Sequence, residues 1–200
     1  SADTTVSTES ANAQNMHSIK EAEPLQVISA PEPHDYYDVH GPQPDRVVYG
    51  DGQAEIIDFG LCNLQGERVN VVVTGFQYEW YCTARFLQPM HKVAFGFMIK
   101  TKEGLTVAGT NSFSSGELID AVPVHSIVTA KFRFILNLNP GVYFINTGVA
   151  SVTEGINYHH RIVDCAMIRV ISGDSSHGVG IAHIAPIFNV EIYQKESLEA

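Results

Sequence analysis

From Arg46 onward, apolar and polar residues alternate with a period of two, which predicts strand after strand. "QAEIIDFGLCN" places Ile57, Phe59 and Leu61 on one face. "VNVVVTGFQYEWYCTARF" is β-branched and aromatic, with Phe76, Tyr78, Trp80 and Cys82 on one face and Gln77, Glu79 and Tyr81 on the other. "FGFMIKTKEGLTVAGTNSF" reads as a hairpin that starts apolar, turns at Lys102-Glu103-Gly104, and ends in small polar residues. "TAKFRFILNL" alternates Phe132, Phe134 and Leu136 with Lys131, Arg133 and Ile135. Phe132 and Phe134 therefore belong to the core, and Arg133 faces away from it. Asn139-Pro140-Gly141 makes a tight turn into "VYFINTGVASV", since Pro presets φ and Gly accepts positive φ. "RIVDCAMIRVIS" follows, and "APIFNVEIY" closes the chain after the glycine-rich "SGDSSHGVG". The reading is an all-β chain: an antiparallel immunoglobulin-like, jelly-roll-like β-sandwich of about eight or nine strands, with a closed barrel as the alternative.

Residues 1–45 carry a different signal and read as a flexible acidic linker ahead of a domain spanning 46–200. "SADTTVSTESANAQN" has too few large apolar groups to offset its ordering entropy. Pro31, Pro33, Pro42 and Pro44 keep the following stretch extended. The net charge of −10 is concentrated here. Residues 1–45 hold eight acids against Lys20, a net of −7, which leaves −3 for the remainder. The folded part thus has no basic run, and nucleic acid is not an expected partner, because phosphate neutralisation needs clustered Lys and Arg. No apolar run is long enough to span a bilayer, and no signal peptide is visible. Cys62, Cys82 and Cys165 lie inside apolar segments without a C-x-x-C pair, so buried free thiols of a reducing compartment are expected.

Motifs that would hold a nucleotide or a catalytic metal are missing from the sequence: it has no G-x-x-x-x-G-K-[ST], G-x-S-x-G, H-E-x-x-H or EF-hand loop, and no cofactor is expected. His159 and His160 are adjacent, and neighbours on a strand face opposite ways, so they would not converge on one ion. Glu79, Asp58 and Asp164 could supply paired carboxylates for glycoside hydrolysis, but any β-sandwich has several acids per face, and solvated strand-face acids account for them better. What remains suits the holding of a sugar. Sugars offer C–H faces to aromatic rings and hydroxyls to planar hydrogen-bonding groups. The candidates are Tyr78, Trp80, Arg133, Asn146, Tyr158, His159, His160 and Arg161. The last four form a dense polar-aromatic loop, "YHHR". If Tyr78 and Trp80 share the core face, they leave this set.

Three segments, "YGDGQAEIIDFGLCNLQGE", "FGFMIKTKEGLTVAGTNSF" and "FRFILNLNPGVYFINTGVAS", carry a resemblance in consecutive order over roughly residues 48–153. The chain resembles the C-terminal carbohydrate-binding domain of the ATP-binding (Wzt-type) subunit of ABC transporters that export bacterial O-antigen polysaccharide. The resemblance implies a non-catalytic module that recognises the non-reducing end of an undecaprenyl-linked glycan. It also implies an upstream ATPase domain, a transmembrane permease as partner, and a cytoplasmic position at the inner membrane. Dimers are implied too, and a terminal strand within residues 181–194 could be exchanged between protomers. Within "GTNSF", Gly109 would permit close backbone approach while Thr110 and Asn111 satisfy freed backbone groups, a mainly structural role.

Overall fold

The computed structural model describes residues 34–173, 179–183 and 190. Its ten strands are β1 (Val47–Tyr49), β2 (Ala54–Cys62), β3 (Val71–Val73), β4 (Gln77–Phe86), β5 (Met90–Thr101), β6 (Thr106–Asn111), β7 (Ile119–Val122), β8 (Ile127–Ile135), β9 (Gly141–Val152) and β10 (Ile156–Ile171). The larger sheet runs β1-β10-β9-β5-β6, with β3 added beside β10 and β7 beside β5; β2-β4-β8 form the smaller sheet. Every pairing is antiparallel except the short parallel one between β3 and β10. The fold is an all-β sandwich of two sheets.

The core forms where the inward faces of β4 and β8 meet those of β5 and β9. Trp80 stacks between Phe59 and Phe97, at 6.1 and 6.0 Å between ring centres. Phe97 also meets Phe132 and Phe134, at 5.4 and 5.2 Å. Such ring pairs add to the burial energy of large apolar groups. Cys62, Cys82 and Cys165 are buried and free. Burial pushes the Cys82 thiol up to about 11, which leaves it unreactive at neutral pH.

Four departures from the sequence pattern have local causes. A register shift between Ile56 and Asp58 bulges β2, so Ile56 is buried and Ile57 exposed, while Leu61 still faces the core. Phe76 is exposed because it precedes β4, just after Gly75 at φ 82°. Strands β1, β3 and β7 are three or four residues long, too short for alternation to register. "YHHR" is not a loop: it continues into "RIVDCAMIRVIS" as the single strand β10. "APIFNVEIY" lies almost wholly outside the described residues.

Of the segment read as linker, residues 1–33 lie outside the described part. Residues 36–38 are held to the sandwich. The Tyr36 N–H donates to the Val71 carbonyl at 3.0 Å. Asp38 and Asn70 exchange backbone–amide bonds of 2.7 and 3.0 Å.

Candidate functional site

Alternation fixes what the larger sheet shows on its outer face. Val93, Phe95, Phe97 and Ile99 of β5 point inward, so Ala94, Gly96 and Met98 point out. On β9 the outward residues are Asn146, Gly148 and Ala150. Register sets Gly96 opposite Gly148 and Ala94 opposite Ala150. Four small residues side by side leave a depression, and a groove of about 360 Å³ runs over them. That volume falls within the range of small-ligand sites.

The two walls differ in chemistry. On one side β10 raises Tyr158 and Arg161, with the Arg161 guanidinium 4.7 Å from the centre of the Tyr158 ring and 5.8 Å from that of Tyr49. Tyr49 and Tyr158 themselves meet edge to face at 6.2 Å. On the other side stand Asn111, Phe113 and Ser114, which follow from the end of β6. Asn111 Oδ1 accepts from the Ser114 N–H at 2.8 Å and its hydroxyl at 3.0 Å, pinning the turn. Ser112 and Phe95 exchange two further bonds across to β5. Gly109 lies so close to β5 that a Cβ would stand 3.1 Å from the Phe97 carbonyl oxygen. "GTNSF" is therefore a structural corner, and the same corner is a wall of the groove.

Asn146 lines the groove with its carbonyl already committed, since Oδ1 accepts the Asp164 N–H at 2.8 Å. This bond supports Asp164, which sits at φ 54° in the irregular stretch of β10 between Ile162 and Ala166. Asn146 Nδ2 faces the Met98 sulfur at 3.9 Å, a weak acceptor that leaves the amide available to a stronger one.

Asn146, Tyr158 and Arg161 are thus the three sequence candidates that share one groove. Tyr78 and Trp80 are 1% and 0% exposed and face the core, so neither offers a ring to a ligand. Their polar atoms are satisfied inside: the Tyr78 hydroxyl accepts from the Val73 N–H at 2.9 Å, and the Trp80 indole N–H reaches Thr147 Oγ1 at 3.4 Å. Arg133 points away from the core as expected, but it does so on the outer face of the smaller sheet, across the sandwich from the groove. There it pairs with Glu79 at 3.3 Å, beside Lys131 at 2.8 Å.

The two histidines take different partners, but the cause is not the alternation expected of neighbours on a strand. A bulge between Tyr158 and His160 makes His159 the extra residue. His159 is 3% exposed, with Nδ1 2.9 Å from Asp51 Oδ2 and Nε2 2.7 Å from Ser151 Oγ. Burial alone would raise the Asp51 carboxyl, but the Gln53 N–H and His159 outweigh it and hold it below the usual range. His160 reaches instead to the smaller sheet, where its Nδ1 accepts the Ile56 N–H at 2.9 Å.

Ser151, His159 and Asp51 are ordered as in a hydrolase relay, but Ser151 is not among the residues that line the groove. Their evident work is to pin a turn. The Asp51 and Gly52 N–H groups donate to the Tyr158 and His159 carbonyls at 3.2 and 3.1 Å. At Gly50, φ 147°, a Cβ would meet the His159 carbonyl oxygen at 2.4 Å. Only glycine fits this approach, and it is what sets Tyr49 beside Arg161.

The acids do not form a hydrolytic pair. Hydrogen bonding from Lys131 lowers Glu79. At Asp58, burial is outweighed by the hydrogen bond and charge of Arg68. Both are thus held ionised, the opposite of what a general acid requires. Asp164 is bound to Lys100 at 2.8 Å on the other face.

Met98, Phe113 and Ser114 of the groove lining, and Tyr49 beside Arg161, escaped the sequence reading, while Asn111 was read as structural only. The available signal was the run of small residues out of phase with the core, Ala94-x-Gly96 and Gly148-x-Ala150. A strand face without side-chain bulk has to be either covered or open to a ligand.

A two-sheet sandwich with an aromatic, polar-walled groove over a glycine and alanine floor has the form of a binding module. The sequence profile of the Wzt C-terminal domain family matches residues 45–184, and the chain belongs to that family. A crystal structure of the C-terminal domain of Wzt is similar, with 24% identity and a TM-score of 0.69, covering 78% of this chain and 98% of that one. A CARDB domain from Pyrococcus furiosus aligns at 14% identity over 68% of this chain and 99% of that one, with a TM-score of only 0.33. No curated protein matches.

Proposed function

We propose that this domain is a non-catalytic carbohydrate-binding module that recognises the non-reducing end of a lipid-linked O-antigen polysaccharide for export by an ABC transporter. The observation that carries the reading is the groove on the larger sheet. A sugar ring can lie on its glycine and alanine floor with a C–H face against Tyr158. Arg161, Asn146, Asn111 and Ser114 supply donors and acceptors for hydroxyls. Family membership supports the polysaccharide as ligand and an ATP-binding subunit as the larger context. In that context the domain works on the cytoplasmic side of the inner membrane, behind an ATPase domain and beneath a permease. Among the described residues no helix is long and apolar enough to cross a membrane.

A homodimer belongs to the same proposal, because two sites on one polysaccharide-loaded transporter raise avidity over a weak single pocket. Residues 181–183 fold back on their own chain, with the Asn139 N–H donating to the Ile181 carbonyl at 2.8 Å. A strand exchanged between protomers would therefore begin after them, outside the described residues. Light scattering after removal of residues 184–200 tests the exchange: monomers are expected, and a persistent dimer refutes it.

Calorimetric titration with the complete, end-modified polysaccharide and with the same chain lacking its terminal group tests recognition. Binding of the complete chain alone is the expected result. If neither binds, the reading falls and a docking role in the transporter replaces it.

A further inference from the structure

The outer face of the larger sheet holds a second groove, of about 600 Å³, at the other end of β9 and β10. Phe144, Met167 and Arg169 floor it, Lys102 borders it, and the stretch from Asp38 to Asp45 forms its far bank. Register places it in line with the first. Phe144 pairs with both Lys100 and Met167, and Gly148 pairs with both Gly96 and Arg161. From Gly148 to Val142 is six strand residues, about 20 Å.

What lies between the grooves is low. Asn146 is buried, and the Lys100 and Asp164 side chains, 18% and 25% exposed, lie down on the sheet as an ion pair. The two grooves thus share β9 and β10 on one sheet face, with these weakly exposed side chains between them.

Resting on the reading of the first groove as a glycan site, we propose that the second groove is a subsite for residues further along the same polysaccharide. The domain then reads a length of chain as well as its end. Phe144 and Met167 offer apolar surface to C–H faces, while Lys102, Arg169 and Asp45 line the same groove with groups that bond hydroxyls. A second contact on one chain forms at high effective concentration, so it strengthens binding without needing high affinity of its own.

The test uses the full chain and two fragments of the O-antigen from the strain that carries it. Both keep the native non-reducing end; one is a disaccharide and the other an octasaccharide. The octasaccharide should bind at least about tenfold more tightly, and Lys102→Glu or Phe144→Ala should remove that advantage while leaving disaccharide affinity unchanged. Equal affinity of the two wild-type complexes would overturn the subsite and leave the first groove standing, with the second as a contact for a neighbouring protein. Unaltered octasaccharide binding in both variants would also overturn it. Binding of neither fragment would overturn both readings together.

Discussion

The guanidinium of Arg161 lies over the ring of Tyr158, 4.7 Å from its centre. The contact holds two mobile groups in one orientation before any ligand arrives. Cation–π contacts of this kind contribute about 0.5–2 kcal/mol. Arg161→Ala should weaken glycan binding about tenfold or more, with a melting temperature close to wild type. Arg161→Lys should recover little, because a lysine cannot stack in the same plane. Titration and thermal melting on the same samples separate binding from stability, and unchanged affinity in both variants would place the site elsewhere.

Two glycines on the groove floor should respond differently to alanine. At Gly96 a Cβ would stand 3.0 Å from both Asn111 Cβ and the Thr110 carbonyl oxygen, so β6 must shift. At Gly148 the nearest atom is Tyr158 Cε1 at 3.4 Å, an ordinary contact. Gly96→Ala should therefore cost about 1–3 kcal/mol in denaturant unfolding. Gly148→Ala should stay within about 0.5 kcal/mol of wild type but lose affinity, as the methyl occupies ligand space. Equal stability of the two variants would contradict the packing described at Gly96.

Asn111 both pins a turn and faces the groove, so Asn111→Ala should lower stability by about 1 kcal/mol and weaken binding together. Loss of binding with stability intact would make its role that of a ligand contact alone.

His160 supplies a pH dependence whose sign is fixed. Burial holds its imidazole below the ordinary value, against an opposing pull from Glu55, and its Nδ1 must be unprotonated to accept the Ile56 N–H. The folded pKa therefore lies below the unfolded one. The associated stability is complete above about pH 6.5 and is lost as pH falls from there through the folded pKa. His160→Asn keeps an acceptor near the Nδ1 position and does not titrate. Its melting temperature should fall less than that of wild type between about pH 7 and 5. Parallel curves would show that another group carries the acid sensitivity.

Much of the fold was legible because strands such as β4 and β8 are long and alternate along their whole length. Phe132 and Phe134 against Arg133 needed nothing beyond period two, and Lys102-Glu103-Gly104 is a turn whose glycine sits at φ 90°. Asn139-Pro140-Gly141 was also placed between strands, although Gly141 is not among the positive-φ glycines. The candidate site was less legible. Aromatic and polar residues suit a sugar wherever they occur, but Tyr78 and Trp80 serve the core and Arg133 the far sheet. Which face of which strand lies open depends on pairings distant in sequence, such as Gly96 with Gly148. The bulge at His159 replaces the alternation expected between the two histidines, and no local pattern marks it. Tyr49 reaches Arg161 only because Gly50 lets its turn press against β10, a use of "YGDG" visible once β1 and β10 are paired.

The chain has one tryptophan, and its indole N–H reaches Thr147 Oγ1, whose hydroxyl donates to the Gly96 carbonyl at 3.1 Å. Gly96 is also the floor of the first groove. The interior is thereby joined to the ligand surface by two hydrogen bonds, and a sugar settling on that floor would alter the polarity felt by the indole. On the proposed reading the protein carries its own optical reporter: emission from one buried fluorophore should shift when a groove it never touches is filled, with no label added.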